Sequence, residues 1–184
     1  MNRCSQLSWT LRCALLTMLI LLSMASCSTK TELTNESELI DFATRNAAAW
    51  SGQNPEDLAS FYAENGSLSV NDGSPSVGRT AIAATAREYM NAFPDMAVKM
   101  DSVSQDGNHA TFHWTWTGTN TGPGGTGNAV RISGYEKWTI DSDGLIVESK
   151  GHFDEAEYQR QISDDGARSG PPAVTETLGS QEMR

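Results

Sequence analysis

The sequence predicts an α+β domain, and three observations carry the prediction. Apolar residues recur at helical spacing early in the chain, at Leu39, Ile40, Phe42, Ala43, Ala47 and Trp50, and a further helical stretch covers 79–93. From residue 96 onward the apolar period falls to two, in four segments separated by Asp106-Gly107, a glycine-rich loop and Asp143-Gly144. Helices first and hairpins afterwards is the α+β pattern, and 184 residues suffice for one core but not comfortably for two.

In the first helix, beginning near Glu36, the periodic stripe runs to Trp50 and Gly52 follows as a stop. Asn54-Pro55-Glu56-Asp57 then supplies a cap, a proline at the first helical position and first-turn acids, opening a second helix that carries Leu58, Phe61 and Tyr62. A brief strand at 67–70 turns at Asn71-Asp72-Gly73, and the third helix, 79–93, ends at Pro94. Strands are expected at 96–104, 110–117, 130–140 and 145–153, followed by a short polar helix at 155–162. The tail 163–184 has almost no large apolar residue and reads as disordered and acidic. The loop 118–127 lacks the Gly-Lys-Ser/Thr ending of a phosphate loop and joins two strands, so it reads as a flexible rim.

Acidic residues outnumber basic ones 23 to 13, for a formal charge of -10. Such a surface repels polyanions, so no nucleic-acid partner is expected. Three cysteines and three histidines are too few for a disulfide framework or a cysteine-rich zinc site. His109 and His113 stand about 13 Å apart along a strand, too far to share one ion, so no metal site is assigned. No serine or cysteine nucleophile signature is present, and no cofactor is expected.

The N-terminus is read as an address. Arg3 and Arg12 flank a basic region, an apolar run follows over 14–24, and small residues Ala25 and Ser26 precede Cys27. As a helix the run rises about 16 Å against about 30 Å of bilayer hydrocarbon, so it reads as a removable signal and not an anchor. Met24-Ala25-Ser26-Cys27 resembles the lipobox of bacterial lipoproteins, which implies cleavage before Cys27 and lipidation of its thiol. The expected organisation is a signal peptide at 1–26, a lipidated tether at 27–34, a folded domain at 35–162 and the tail. The expected location is exported and membrane-anchored by lipid; Ser28 after the cysteine resembles the outer-membrane sorting pattern of Gram-negative cells, which implies the periplasmic side.

The strand faces locate candidate chemistry. Ala110, Phe112, Trp114 and Trp116 share one face, while Thr111, His113, Thr115 and Thr117 share the other. Val130, Ile132, Gly134, Glu136, Trp138 and Ile140 share a face, which sets one carboxylate, Glu136, in an apolar stripe. In the last strand Ile146, Glu148, Lys150, His152 and Asp154 have one parity and Leu145, Val147, Gly151 and Phe153 the other. Neither face is clearly apolar there, and a bulge would exchange them.

The helix pair around Trp50 and Asp57-Leu58-Ala59-Ser60-Phe61-Tyr62, then Ala92-Phe93-Pro94-Asp95, Gly118-Thr119, Gly134-Tyr135-Glu136-Lys137-Trp138 and Asp143-Gly144-Leu145-Ile146-Val147-Glu148 ending at Phe153-Asp154 resemble the SnoaL-like polyketide cyclase family of the nuclear transport factor 2-like superfamily. The resemblance covers roughly 38–162. It implies a cone of three N-terminal helices packed against a strongly bent, mostly antiparallel sheet, with an apolar pocket between them and homodimers formed through the sheet. In the cyclases an aspartate at the end of the last strand is the general acid/base for ring closure, and Asp154 stands at the matching position. Ketosteroid isomerase, in the same superfamily, uses carboxyls in an apolar site, where the charged form is disfavoured and the pKa rises. Glu136 and His152 are the candidate partners of Asp154, and Trp50, Tyr62, Trp114 and Trp138 the candidate pocket residues. Lys150 departs from the pattern, standing where the family usually has a large aromatic; turned inward, it would pair with Glu148 or Asp154.

Two functions follow as expectations. One is acid/base chemistry of the cyclase or isomerase kind on a small apolar molecule, at Asp154. The other is a non-catalytic ligand-binding or protein-interaction module of the cell envelope, with Thr111, His113, Thr115 and Thr117 on its contact face.

Overall fold

The computed structural model describes residues 35–163. The segments expected as signal peptide (1–26), lipidated tether (27–34) and acidic tail (163–184) lie outside the described residues, save Ser163. Helices α1 (Glu36–Ser51) and α2 (Pro55–Ala59) come first, then strands β1 (Tyr62–Val70) and β2 (Ser76–Val77) and helix α3 (Arg79–Ala92). Strands β3 (Ala97–Asp106), β4 (His109–Thr119), β5 (Ala129–Ile140) and β6 (Ile146–Phe153) follow, and α4 (Glu155–Ile162) closes the order.

The helices begin where the sequence places caps. Asn35 Oδ1 accepts from the Glu38 N–H at 2.9 Å, and Asn54 Oδ1 from the Glu56 N–H at 3.2 Å, satisfying donors that a helix start leaves free. Leu39, Phe42, Ala43, Asn46 and Ala47 form the buried stripe of α1. The second helix is shorter than expected: it ends at Ala59, and Tyr62, expected on its last turn, opens β1. Tertiary pairing decides this, because the Ile146 N–H donates to Phe61 O at 2.9 Å and holds the chain extended.

The six strands form one open, mixed sheet in the order β2-β1-β6-β5-β4-β3. β1 and β6 run parallel, and every other neighbouring pair is antiparallel. Register shifts in β1, β3 and at the end of β5 interrupt the ladders, the kind of irregularity that bends and twists strands. The β5–β6 shift also settles the last strand: Ile146 and Ser149 are both buried, so the face exchanges between them. Beyond it Ser149, Gly151 and Phe153 point inward, and Lys150 and His152 point outward.

The core lies between this inner face and the helices. Phe42 of α1 meets the edge of Trp138 at 5.6 Å between ring centroids, and Trp138 stacks on Phe112 at 4.7 Å. The loop after β4 is tied down, contrary to the flexible rim expected. Asn120 accepts the Thr126 N–H at 2.9 Å and donates to Ala92 O at 3.2 Å, while Asn128 donates to Ser163 O at 2.9 Å. No helix among the described residues is long and apolar enough to cross a membrane.

Candidate active site

The inner face of β4, β5 and β6 is a grid of large and small side chains. In register, Ala110, Trp138 and Ser149 make one row; Phe112, Glu136 and Gly151 the next; Trp114, Gly134 and Phe153 the third. A β-carbon at Gly134 would stand 2.6 Å from the Trp114 ring and 2.5 Å from His152 O. The bare position lets Trp114 lie over β5 toward Phe153, their ring centroids 6.4 Å apart. At Gly151 a β-carbon would meet only Ser69 O at 3.5 Å and Glu136 Cγ at 3.6 Å, ordinary contacts, so there the bare position leaves open volume beside Glu136.

That volume belongs to a cavity between the sheet and α1 and α3. Trp50, Tyr89, Phe112, Trp114, Trp116 and Phe153 supply aromatic walls, Leu68, Val70, Met96 and Val98 aliphatic ones, and Glu136 the single carboxyl. It offers about 60 Å³ to the centres of water-sized groups, within about 550 Å³ of atom-free space that includes its open mouth. A water needs only about 10–15 Å³ of such space, so the cavity holds several water-sized groups.

Glu136 is 5% exposed and sits in a small polar network. Its Oε2 accepts from the Trp138 indole N–H at 2.7 Å and from Ser149 Oγ at 2.6 Å. Burial pushes its pKa above the ordinary carboxylate value, although the Ser149 and Trp138 bonds pull the other way. Both donors converge on one oxygen, which leaves Oε1 as the atom to carry a proton or receive a partner. Tyr62 lies behind this network. Burial, and then the nearby Glu136 charge, hold its phenol well above the ordinary value, while proximity to Ser149 eases it slightly. No partner completes a hydrogen bond with its hydroxyl.

Other buried polar atoms around the cavity are likewise unmatched among the described residues. Both amide atoms of Asn46, 0% exposed, have no hydrogen-bond partner, nor do the indole N–H groups of Trp114 and Trp116. Asn46 lies on α1 one turn from Phe42, which touches Trp138, and one turn from Trp50, which lines the cavity.

The residues expected to act together are separated. Glu136 lies inside. His152 is on the opposite face of the sheet, its ring against Tyr135 at 5.1 Å between centroids. Asp154 is exposed at the start of α4, where its Oδ1 accepts the Glu157 N–H at 3.0 Å as a helix cap, and it does not line the cavity. Lys150 points outward and pairs with Glu148 at 2.9 Å, so it puts no cation beside Glu136. Of the expected pocket residues, Trp50 and Trp114 line the cavity, whereas Tyr62 and Trp138 stand behind Glu136 and fix its surroundings. Ser149 and Gly151 were missed, because the bulge hides their inward direction from the alternation pattern. Tyr89 was missed too, although its place one turn before Phe93 on the third helix was a usable signal. No cluster of metal-ligating side chains occurs among the described residues.

Helices laid against an open mixed sheet, with an apolar cavity between, define an α+β domain of the nuclear transport factor 2-like, or ketosteroid isomerase-like, kind. The chain belongs to the SnoaL-like domain family, whose pattern matches residues 43–149, more than half of its length. Solved structures agree in fold. A protein described as a SnoaL-like polyketide cyclase from Jannaschia sp. CCS1 is 18% identical, with a TM-score of 0.64 over 73% of this chain and 97% of that one. A hypothetical protein with a ketosteroid isomerase-like fold from Catenulispora acidiphila, in complex with trimethylamine, is 19% identical, with a TM-score of 0.60 over 66% and 92%. A phenazine biosynthesis-related protein from Pseudomonas aeruginosa is 17% identical, with a TM-score of 0.56 over 83% and 97%. No curated protein matches the chain.

Proposed function

We propose that this SnoaL-like domain binds a small, largely apolar molecule in the aromatic cavity, with its polar group set against Glu136, and that any conversion of that molecule uses Glu136 as the acid/base group. One observation carries the reading: a single carboxyl, 5% exposed, stands in the wall of an otherwise apolar cavity with one oxygen held by two donors and the other uncommitted. A carboxyl whose neutral form is favoured by burial keeps its proton closer to neutral pH, which suits proton exchange with a carbonyl, hydroxyl or amine. The trimethylamine complex of the Catenulispora protein supports a small molecule as the class of occupant. Asp154 takes the structural role of a cap.

The test is a library of small carbonyl, hydroxyl and amine compounds screened by thermal shift, with bound compounds followed by NMR for product. Glu136→Gln is expected to abolish conversion and Asp154→Asn to preserve it; the reverse pattern would return the chemistry to the end of the last strand.

The reading extends to location: the protein is exported and anchored through lipid on Cys27, which the basic, apolar and small-residue order of 3–27 supports. In cells, metabolic labelling with palmitate should mark the chain and not its Cys27→Ala variant; equal labelling of both would remove the anchor. A second reading, as a protein-interaction module, draws support from the solvent-side ring row His113, Tyr135 and His152, and sedimentation of the wild type against a Tyr135→Ser variant tests it.

A further inference from the structure

Resting on the reading of this cavity as a ligand site, we propose that the molecule it takes is a small alkylated ammonium cation, held among the aromatic walls with its charge set toward Glu136. The geometry of the walls is the first argument. Trp50 meets Tyr89 edge to face with centroids 6.3 Å apart, Tyr89 meets Trp116 in the same way at 6.0 Å, and Phe112, Trp114 and Phe153 complete the aromatic lining. An aromatic ring is negative on its face and positive at its edge, and a wall rich in such rings suits a cation of low hydration.

What the walls withhold is the second argument. The N–H groups of Trp114 and Trp116 are buried in the packing, so these rings offer the cavity carbon and not donors. Neither lysine nor arginine lines it, and its one ionisable acid is Glu136. A carboxylate or phosphate ligand would meet that acid with no counter-charge. An ammonium meets it with an ion pair in a dry site, where attraction is screened least.

The surroundings of the walls are the third. Burial first, then Tyr158, Glu155 and Glu88, push the phenol of Tyr89, in the wall, up to about 12. Glu155 is held in place by Asn71 Nδ2 at 3.2 Å and by Gln159 Nε2 at 2.8 Å, next to the end of β1 that supplies Val70. Acids therefore stand near these walls outside the cavity as well as at Glu136 within it, and such charge raises the local concentration of cations. Methyl groups on the nitrogen suit the aliphatic walls of Leu68 and Met96 better than a hydrated primary ammonium does.

The experiment uses the purified full-length chain at fixed ionic strength, with tetramethylammonium chloride as the cation and tert-butanol as a neutral probe of similar shape, each titrated by tryptophan fluorescence and calorimetry. The expected result is saturable binding of the cation about tenfold or more tighter than the alcohol, a difference of about 1.4 kcal/mol. Glu136→Gln should remove most of that preference by weakening the cation far more than the alcohol. Should that variant fail to fold, Trp50→Leu keeps the volume apolar, removes one aromatic wall and should weaken the cation several-fold more than the alcohol. Equal binding of the two probes, or a cation preference that survives both variants, overturns the cation and leaves the cavity reading standing. Saturable binding of neither probe, with no hit in the compound library, overturns both.

Discussion

On the inner face of β4–β6 the in-register rows join Phe112, Glu136 and Gly151, then Trp114, Gly134 and Phe153; on the outer face, one residue along each strand, the matching row is His113, Tyr135 and His152. The same strands and ladders thus carry two opposite environments. Inside, Glu136 is held by Trp138 and Ser149, burial raises its pKa, and an error in volume or hydrogen bonding is felt directly. Outside, Lys150 pairs with Glu148, Lys137 lies 5.8 Å from the Tyr135 ring, and water screens each interaction. Chemistry follows the face and not the strand: His152 and Gly151 are neighbours in sequence, yet only Gly151 borders the cavity.

The sharpest way to break the comparison is Trp138→Ala. It removes a fully buried ring and one of the two donors to Glu136, so it should cost about 3–5 kcal/mol in denaturant unfolding. A loss no larger than that of outer-face variants would dissolve the distinction between faces. Next comes the pH dependence. Glu136 has a folded pKa above its unfolded value, so its favourable contribution is present in acid and is lost as pH rises through the raised pKa. The Glu136→Gln protein should therefore gain stability relative to wild type as pH climbs from acid toward neutral, read from urea midpoints. Glu157 on α4 behaves in the opposite sense: its pKa, lowered to about 2 by hydrogen bonds first from Arg160 and then Gln161, gives stability present above the ordinary carboxylate range and lost as pH falls through it toward that value. A Glu136→Gln protein that loses stability relative to wild type over that range would contradict the buried placement.

Smaller effects sharpen the boundary. Asp154→Ala removes a helix cap and should cost about 1 kcal/mol, with ligand affinity unchanged, whereas Asp154→Asn keeps the cap and most of the stability. Thermal melts and probe titrations on the pair separate a cap from an acid/base group. Least of all, His152→Ala should stay within about 0.5 kcal/mol and leave probe binding intact, since its ring only faces Tyr135 on the solvent side.

How much of this the sequence showed depends on where alternation is unbroken. β5 keeps strict register until its last residues, so Glu136 could be placed in an apolar stripe from its parity alone. The helices, the hairpins and the cap at Asn54 were readable for the same local reason. β6 was not, because Ile146 and Ser149 both turn inward across a bulge that local periodicity does not encode. Tyr62 was assigned to a helix because its spacing from Leu58 and Phe61 is helical, while the parallel pairing that extends it joins residues far apart in sequence. Asp154 was read as an acid at a strand end, whereas its exposed place and its bond to the Glu157 N–H are those of a helix cap.

Gly134 carries a consequence for how the family can vary. Any side chain there would strike the Trp114 ring and the backbone at His152, so reducing residue 114 would clear only the ring. The His152 carbonyl would still stand 2.5 Å from the new β-carbon. Ligand size in descendants of this chain is therefore freer to change at residue 114 than at residue 134, which the neighbouring strand holds at glycine.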